Sequence, residues 1–232
     1  MTLRFEQCLS KFSQIPNTPI AYWLSDKMCN VFKGKKVGSI AFSDGQTKTG
    51  DNDKYLRFLW EVNNNAVGKN KKWVIHVKGG VFRRWYGNID TVINWSVEAR
   101  KHYKEDKIAR IAPEYIWFRK GVCWNLITSS EKFAVRFLDD DSTFNLAAPS
   151  IFFNDDETMF FVLGLLNSIV AEKIIRMLNP TLNTNIGDVM AQPLIIERKE
   201  EVVALTQKSI YEAQNDWNSF ETSWEFRRHP LI

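Results

Sequence analysis

The hydrophobic period of this chain changes once, near Asp156, and that change limits the folds open to it. From Met159 onward Val162, Leu163, Leu166, Ile169, Val170, Ile174 and Leu178 recur at helical steps, which predicts one buried amphipathic helix ending near Asn179-Pro180. Upstream the apolar residues come in short β-like runs: Val37 to Phe42, Tyr55 to Val62, Trp73 to Val77, Thr91 to Trp95, Tyr115 to Phe118, Phe133 to Leu138 and Ser150 to Phe153. Gly, Asn and Asp clusters separate them. One helix, Ser96 to Lys107, interrupts the series. A chain of strands followed by helices is an α+β (mixed α/β) fold, sheet-rich with long loops to about residue 153 and closed by C-terminal packing helices.

The flanks read as helical. Leu3, Phe5, Leu9 and Phe12 are near helical spacing, and Ser25 caps a second helix from Asp26 to Phe32. Between them Ile15-Pro16-Asn17-Thr18-Pro19 is extended, because proline disfavours helix in the residue before it. A helix is expected from Arg198 to Asn215, with Asp216 capping a final short helix that bears Trp217, Phe220 and Trp224. The division that follows is a helical lead-in over 1–36, a main domain over 37–197, and C-terminal helices over 198–232.

With 232 residues, the chain fits one large domain or two small ones. Cys8, Cys29 and Cys123 are odd in number and far apart, so neither a disulfide framework nor a zinc ribbon is indicated and a reducing cytoplasm is the simple expectation. His76, His102 and His229 have no ligand-spaced companion. Met1 to Gln7 contains Arg4 and Glu6 and is no signal peptide. The apolar window Met159 to Leu166 is too short to cross a bilayer, which needs about 20 residues.

Motifs of catalysis are missing. No P-loop, GxGxxG turn or GxSxG elbow occurs. Two acidic clusters, Asp139-Asp140-Asp141 and Asp155-Asp156-Glu157, could hold a metal or serve as an acid/base pair. The simpler account is a solvated turn for the first and a favourable charge at a helix N-terminus for the second.

The stretch Gly68 to Asn88, GKNKKWVIHVKGGVFRRWYGN, carries Lys69, Lys71, Lys72, Lys78, Arg83 and Arg84 and no acid. Trp73, Phe82, Trp85 and Tyr86 are interleaved with them. Cations among flat rings suit a polyanion with bases to stack, and Gly79-Gly80 would let backbone amides approach phosphates. Equally, Trp85 and Tyr86 could be core residues at a strand end and the lysines a solvated face. Two further loops have groups fit for phosphates or base edges: Thr47 to Lys54, with Lys48, Thr49, Asn52 and Lys54, and Thr128 to Lys132, with Ser129, Ser130 and Lys132, leading into a strand that holds Arg136. An ordinary Asx turn explains the first as well.

Several ordered motifs resemble a known family. They are Ile15-Pro16, Pro19-Ile20-Ala21-Tyr22-Trp23, Thr49-Gly50-Asp51-Asn52-Asp53-Lys54-Tyr55-Leu56-Arg57 and Lys78-Gly79-Gly80 with Phe82-Arg83-Arg84-Trp85-Tyr86-Gly87-Asn88. Gly121 to Arg136, Leu163-Gly164-Leu165-Leu166-Asn167-Ser168, Leu178-Asn179-Pro180-Thr181-Leu182-Asn183, Gly187-Asp188-Val189 and Asp216 to Trp224 continue the series in order. Together they look like the C-terminal half of the PglX proteins, adenine-specific DNA methyltransferases of BREX phage-defence systems related to type IIG restriction-modification enzymes.

The resemblance implies a target-recognition domain similar to the TaqI-like specificity domain. Its expected partners are double-stranded DNA, the methyltransferase domain of a parent protein, and other defence-system proteins, with no membrane. The family's S-adenosylmethionine fold and Asn-Pro-Pro-Tyr motif have no counterpart here, and Asn179-Pro180-Thr181-Leu182 lacks the stacking aromatic. The chain is therefore expected to be a non-catalytic recognition piece without a cofactor of its own, S-adenosylmethionine serving the parent. The DNA-contacting candidates are Lys48, Thr49, Asn52, Lys54, Lys71, Lys72, Lys78, Arg83, Arg84, Trp85, Tyr86, Asn88, Ser129, Ser130, Lys132 and Arg136. Rival readings are a stand-alone metal-dependent nuclease using one acidic cluster, and a protein-interaction module using Trp217 to Phe226.

Overall fold

The computed structural model describes residues 13, 15–16, 25–128, 132–229 and 231–232. In chain order its helices are α1 (Asp26–Val31), α2 (Asn52–Tyr55), α3 (Val97–Glu105), α4 (Asp156–Leu166), α5 (Ile169–Leu178), α6 (Ile186–Met190) and α7 (Lys199–Asn218). Its strands are β1 (Leu56–Phe58), β2 (Trp73–Val77), β3 (Thr91–Asn94), β4 (Gly121–Trp124), β5 (Val135–Leu138), β6 (Ser142–Phe144) and β7 (Ser150–Phe152). The fold is α+β.

Two sheets form. The first has the order β1-β3-β2-β6, antiparallel except for the parallel pair β2–β6; the second is antiparallel with the order β5-β4-β7. Side chains alternate faces along a strand, and here the alternation assembles four layers. In the second sheet Val122, Trp124, Val135, Phe137 and Ile151 pack with Met159, Val162, Leu163 and Ile175 of the helices. Their neighbours Cys123, Leu138 and Phe152 point the other way, onto Ile75, Val77 and Val92 of the first sheet. The far face of the first sheet, Leu56, Val74 and Ile93, packs on Ala99 and Tyr103 of α3. Both faces of both sheets are thus covered, which is why β4 to β7 are buried at every residue.

The helical half departs from the single long helix that its period suggests. Asn167 and Ser168 break it into α4 and α5, bent by 75°. Ser168 caps α5, its hydroxyl accepting from the Ala171 amide at 3.1 Å. The Asn167 side chain turns inward, accepting from the Val135 amide and donating to the Val135 carbonyl, both at 3.0 Å. No single described helix is long and apolar enough to cross a membrane.

Other expectations are corrected. Val37 to Phe42 is a 3₁₀ turn (Val37–Ser39) flanked by single bridges from Lys36 to Pro193 and from Phe42 to Phe152. Tyr115 to Phe118 follows Pro113 as a second 3₁₀ turn, Glu114–Ile116, and the Trp117 indole donates back to the Ala112 carbonyl at 2.7 Å. Tyr55 to Val62 forms only β1 before turning. No separate terminal helix starts at Asp216: α7 runs through it to Asn218. Strands β4 and β6 had no signal of their own, being short and, in Ser142-Thr143, polar. The helix read over Leu3 to Phe12 and most of the extended segment at Ile15 to Pro19 lie outside the described residues. The Ser25 cap is present, accepting from the Met28 amide at 3.3 Å.

Candidate nucleic-acid interface

The basic-aromatic stretch does not form one patch. It divides at β2, whose register with β3 and β6 fixes where each cation points. Lys71 and Lys72 are exposed in the turn before β2, the Lys72 ammonium 5.7 Å from the Trp73 ring centre, while Lys69 pairs with Asp140 at 3.5 Å. Lys78, at the other end of β2, is half-exposed and shares a surface depression of about 340 Å³ with Asn52, Arg57 and Phe58. Two separate sequence signals, the loop around Asn52 and Lys78, therefore meet in space.

The segment after Lys78 is pinned from below. Arg136 is 1% exposed; its guanidinium donates to Asn125 Oδ1 at 2.8 Å and to the Lys78 carbonyl at 3.2 Å. Asn125 in turn donates to the Gly80 carbonyl at 2.7 Å and accepts from the Gly80 amide at 3.3 Å. Gly79 and Gly80 are needed by the fold itself, since a Cβ on Gly79 would lie 2.7 Å from the Ala147 carbonyl oxygen and one on Gly80 2.9 Å from Asn88. That occupies the space the sequence reading gave to phosphates. Asn88 is buried and donates to the Val81 carbonyl at 3.0 Å, and Thr49, also buried, donates to Asn52 Oδ1 at 2.7 Å. Arg136, Asn88 and Thr49 are thus buried and hydrogen-bonded within the fold.

Trp85 and Tyr86 sit beside the edge of β5, partly buried. Trp85 exchanges hydrogen bonds with β5, its amide donating to the Val135 carbonyl at 3.0 Å and its carbonyl accepting from Phe137 at 2.8 Å. Both rings pack against the core. Burial, with Asp141 and Asp139 nearby, pushes the Tyr86 hydroxyl up to about 12, so it stays neutral. Arg83 is drawn to Asp216 at 3.0 Å and over the Trp217 ring at 4.9 Å; Arg84 bonds Glu172 at 2.9 Å. Phe82 remains exposed, with Arg84 and Lys132 near its ring at 5.8 and 5.9 Å. Ser129 and Ser130 lie outside the described residues.

The acidic clusters have structural partners. Asp155 caps α4 through the Thr158 amide at 2.7 Å, which holds its carboxyl below the usual range. Asp156 pairs with Lys120 at 3.2 Å and Glu157 with Lys199 at 2.9 Å. Asp139 to Asp141 form the turn that carries the chain from one sheet to the other; burial raises the Asp139 and Asp141 carboxyls. Among the described residues no three His, Cys, Asp or Glu side chains are grouped to hold a metal ion.

Comparison with known proteins places this architecture. No protein-family model matches the chain. It is 33% identical over 240 residues to the adenine-specific methyltransferase PglX of Lacticaseibacillus casei (strain Zhang), covering 96% of this chain and 20% of that protein. This chain is similar to one part of the PglX-type methyltransferases. Adenine-specific methyltransferase BrxX of Escherichia coli O9:H4 (strain HS) is likewise 33% identical over 231 residues, 95% of this chain and 18% of that protein. The chain thus spans about a fifth of the length of these PglX-type relatives. The type IIL restriction-modification enzyme MmeI, solved in complex with DNA, shares the fold with a TM-score of 0.53 at 11% identity, over 83% of this chain and 30% of that one.

Arg100, Lys101, Lys104 and Arg110 escaped the sequence reading. Their neighbours Glu98, Glu105 and Asp106 balance them in any running count of charge, so composition gives them no signal.

Proposed function

We propose that this chain is the duplex-DNA recognition module of an adenine-specific DNA methyltransferase of the phage-defence and restriction-modification type, with methyl transfer performed elsewhere in a parent protein. The observation that carries the reading is the similarity of nearly the whole chain to one fifth of two adenine-specific methyltransferases. The exposed candidates support it. Asn52 and Lys78 share one depression, Lys54 stands beside them on α2, and Phe82 with Lys132 offers a ring flanked by charge. Lysines anchor phosphates and set register, while Asn52 reads a base edge; a bidentate contact of that kind discriminates by about 1–3 kcal/mol. The methyltransferase part then flips the chosen adenine.

S-adenosylmethionine belongs to the parent in this reading. The glycine pair after β2 is the feature here closest to a nucleoside cradle, and its space and its Gly80 amide are already taken by Ala147, Asn88 and Asn125. That glycine pair does not fit the cofactor. The methyltransferase domain and other defence proteins are the proposed protein partners, and the proposed division is a lead-in over 1–36, the recognition domain over 37–197 and C-terminal helices over 198–232.

Fluorescence anisotropy with duplex DNA across a salt series tests it. With about five phosphates neutralised, log K falls against log salt with a slope near −4 to −5. Absence of binding at low salt would overturn the reading for this chain.

A further inference from the structure

Helix α3 turns Arg100, Lys101 and Lys104 away from the first sheet, and none of them lies in the basic-aromatic stretch. Three surface depressions run end to end across this helix. One of about 660 Å³ lies between Lys71, Lys72 and Arg100. The next, about 360 Å³, shares Arg100 and adds Lys101 and Lys104. The last, about 820 Å³, shares Lys104 and reaches Lys48 and Arg110.

The far end is built at a cost. Lys48 and Arg110 face each other in an antiparallel bridge, each amide donating to the other's carbonyl at 2.9 and 2.8 Å. Like charges directly opposite are destabilising, and among the described residues neither has an acidic partner. In the middle, Arg100 lies over Trp95 and Trp117, its guanidinium carbon 6.0 and 5.9 Å from their ring centres. Both rings are within cation–π reach, a contact that leaves the N–H groups for an outside acceptor. Acids line the same depressions but are outnumbered: Glu98 borders the first and Glu105 with Glu114 the second, against Lys71, Lys72, Arg100, Lys101 and Lys104. Asp106 accepts from the Ile108 and Ala109 amides, both at 2.8 Å, and Glu114 pairs with Lys104 at 3.1 Å, an exposed contact that exchanges readily for a phosphate. Glu98 and Glu105 stand exposed on the same helix.

We propose that α3 and its two flanks form a track for the sugar-phosphate backbone of duplex DNA, with Lys71 and Lys72 at one end, Arg100, Lys101 and Lys104 in the middle, and Lys48 with Arg110 at the other end. This rests on the DNA-recognition reading above and assigns the phosphate contacts that reading leaves open. Nine helical residues extend about 13 Å, and one strand of B-DNA presents a phosphate about every 3.4 Å along its axis. The helix therefore runs beside about four phosphates, close to the number of cations above it. Flexible ammonium stems suit phosphates better than base edges, so the track sets register and the Asn52–Lys78 depression specifies sequence.

The test uses the 232-residue chain and a fluorescent duplex, comparing the wild type with the triple variant Lys48→Gln, Lys104→Gln, Arg110→Gln. A control with the same loss of charge is Lys35→Gln, Lys173→Gln, Lys208→Gln. The track variant is expected to lose at least tenfold in affinity near 0.1 M salt and to show a slope shallower by about 2.7, with the control within twofold of wild type. Binding of all three proteins with equal slope overturns the track while leaving DNA recognition standing; no binding by wild type overturns both. Should the triple variant not fold, acetylation of the wild-type protein gives the same answer. Duplex DNA is expected to protect Lys48, Lys101 and Lys104, and equal labelling with and without DNA refutes the track.

Discussion

Arg136 carries a charge into the space between the two sheets, where its partners are uncharged oxygens of Asn125 and Lys78. Its value is positional: through Asn125 it fixes the backbone at Gly80, from which the loop to Asn88 departs. Arg136→Ala leaves the Lys78 carbonyl without its side-chain donor and Asn125 Oδ1 with only the Gly80 amide, and opens a cavity, so a loss of about 3–5 kcal/mol is expected in chemical denaturation. A loss below about 1 kcal/mol would show that the bracket holds nothing. His76 is the second buried group with a measurable signature. Thr143 Oγ1 lies 2.8 Å from Nδ1 and the Asn145 amide 3.2 Å from Nε2. Asn145 as donor makes Nε2 the acceptor and leaves the proton on Nδ1. Burial, with Lys78 nearby, pulls this imidazole down from 6.5 to about 3. The unfolded chain then binds a proton that the folded chain refuses, so stability is full above 6.5 and falls as the pH drops toward 3. At pH 5 the expected loss from this group is about 2 kcal/mol. Denaturation of His76→Gln at pH 7 and pH 5 checks it, because the variant should lack this part of the slope.

At the scale of elements, α4 and α7 meet where Gly164 lies against Thr206 and Val202. A Cβ at 164 would collide with Thr206 Oγ1 and stand 3.0 Å from Val202. Gly164→Ala is expected to destabilise by about 1–3 kcal/mol, and Thr206→Ala in the same chain should return part of it; additive losses in a double-mutant cycle would disprove the contact. The glycine was visible in the sequence only as a pause in an apolar run, because its reason lies on another helix. The same holds more widely. The β2 limits, the helix beginning at Ser96, the Ser25 cap and the helical stripe after Asp156 were legible because local spacing and capping determine them. The break at Asn167-Ser168 was not, since the pull on Asn167 comes from Val135, 32 residues away in sequence. Nor was β6, a strand of Ser-Thr-Phe that exists because β2 offers it a parallel edge. For the site, composition singled out the stretch 68–88 but could not say that Lys78 joins Asn52 while Arg83 and Arg84 turn toward α7 and α5.

That division has a consequence for the molecule as a whole. The four-layer stack sends the cations of one 21-residue acid-free stretch (68–88) to opposite purposes. Arg83 and Arg84 tie the loop to Asp216 and Glu172 across the helical layer, whereas Lys71 and Lys72 stand free beside α3. Removing each pair should therefore register in different measurements. Lys71→Ala with Lys72→Ala is expected to change stability by less than about 0.5 kcal/mol, as exposed substitutions do, while flattening the salt dependence of duplex binding by about 1.8 in slope. Arg83→Ala with Arg84→Ala removes two partly buried ion pairs and the stacking on Trp217, so stability should fall by about 1–3 kcal/mol, with the binding slope changed by less than about 1. Thermal denaturation and anisotropy on the two double variants separate the cases. If instead the arginine variant keeps full stability and loses the steeper slope, the loop opens on DNA and the bonds to Asp216 and Glu172 are exchanged for phosphates, a rearrangement that would make the helical layer part of the recognition surface.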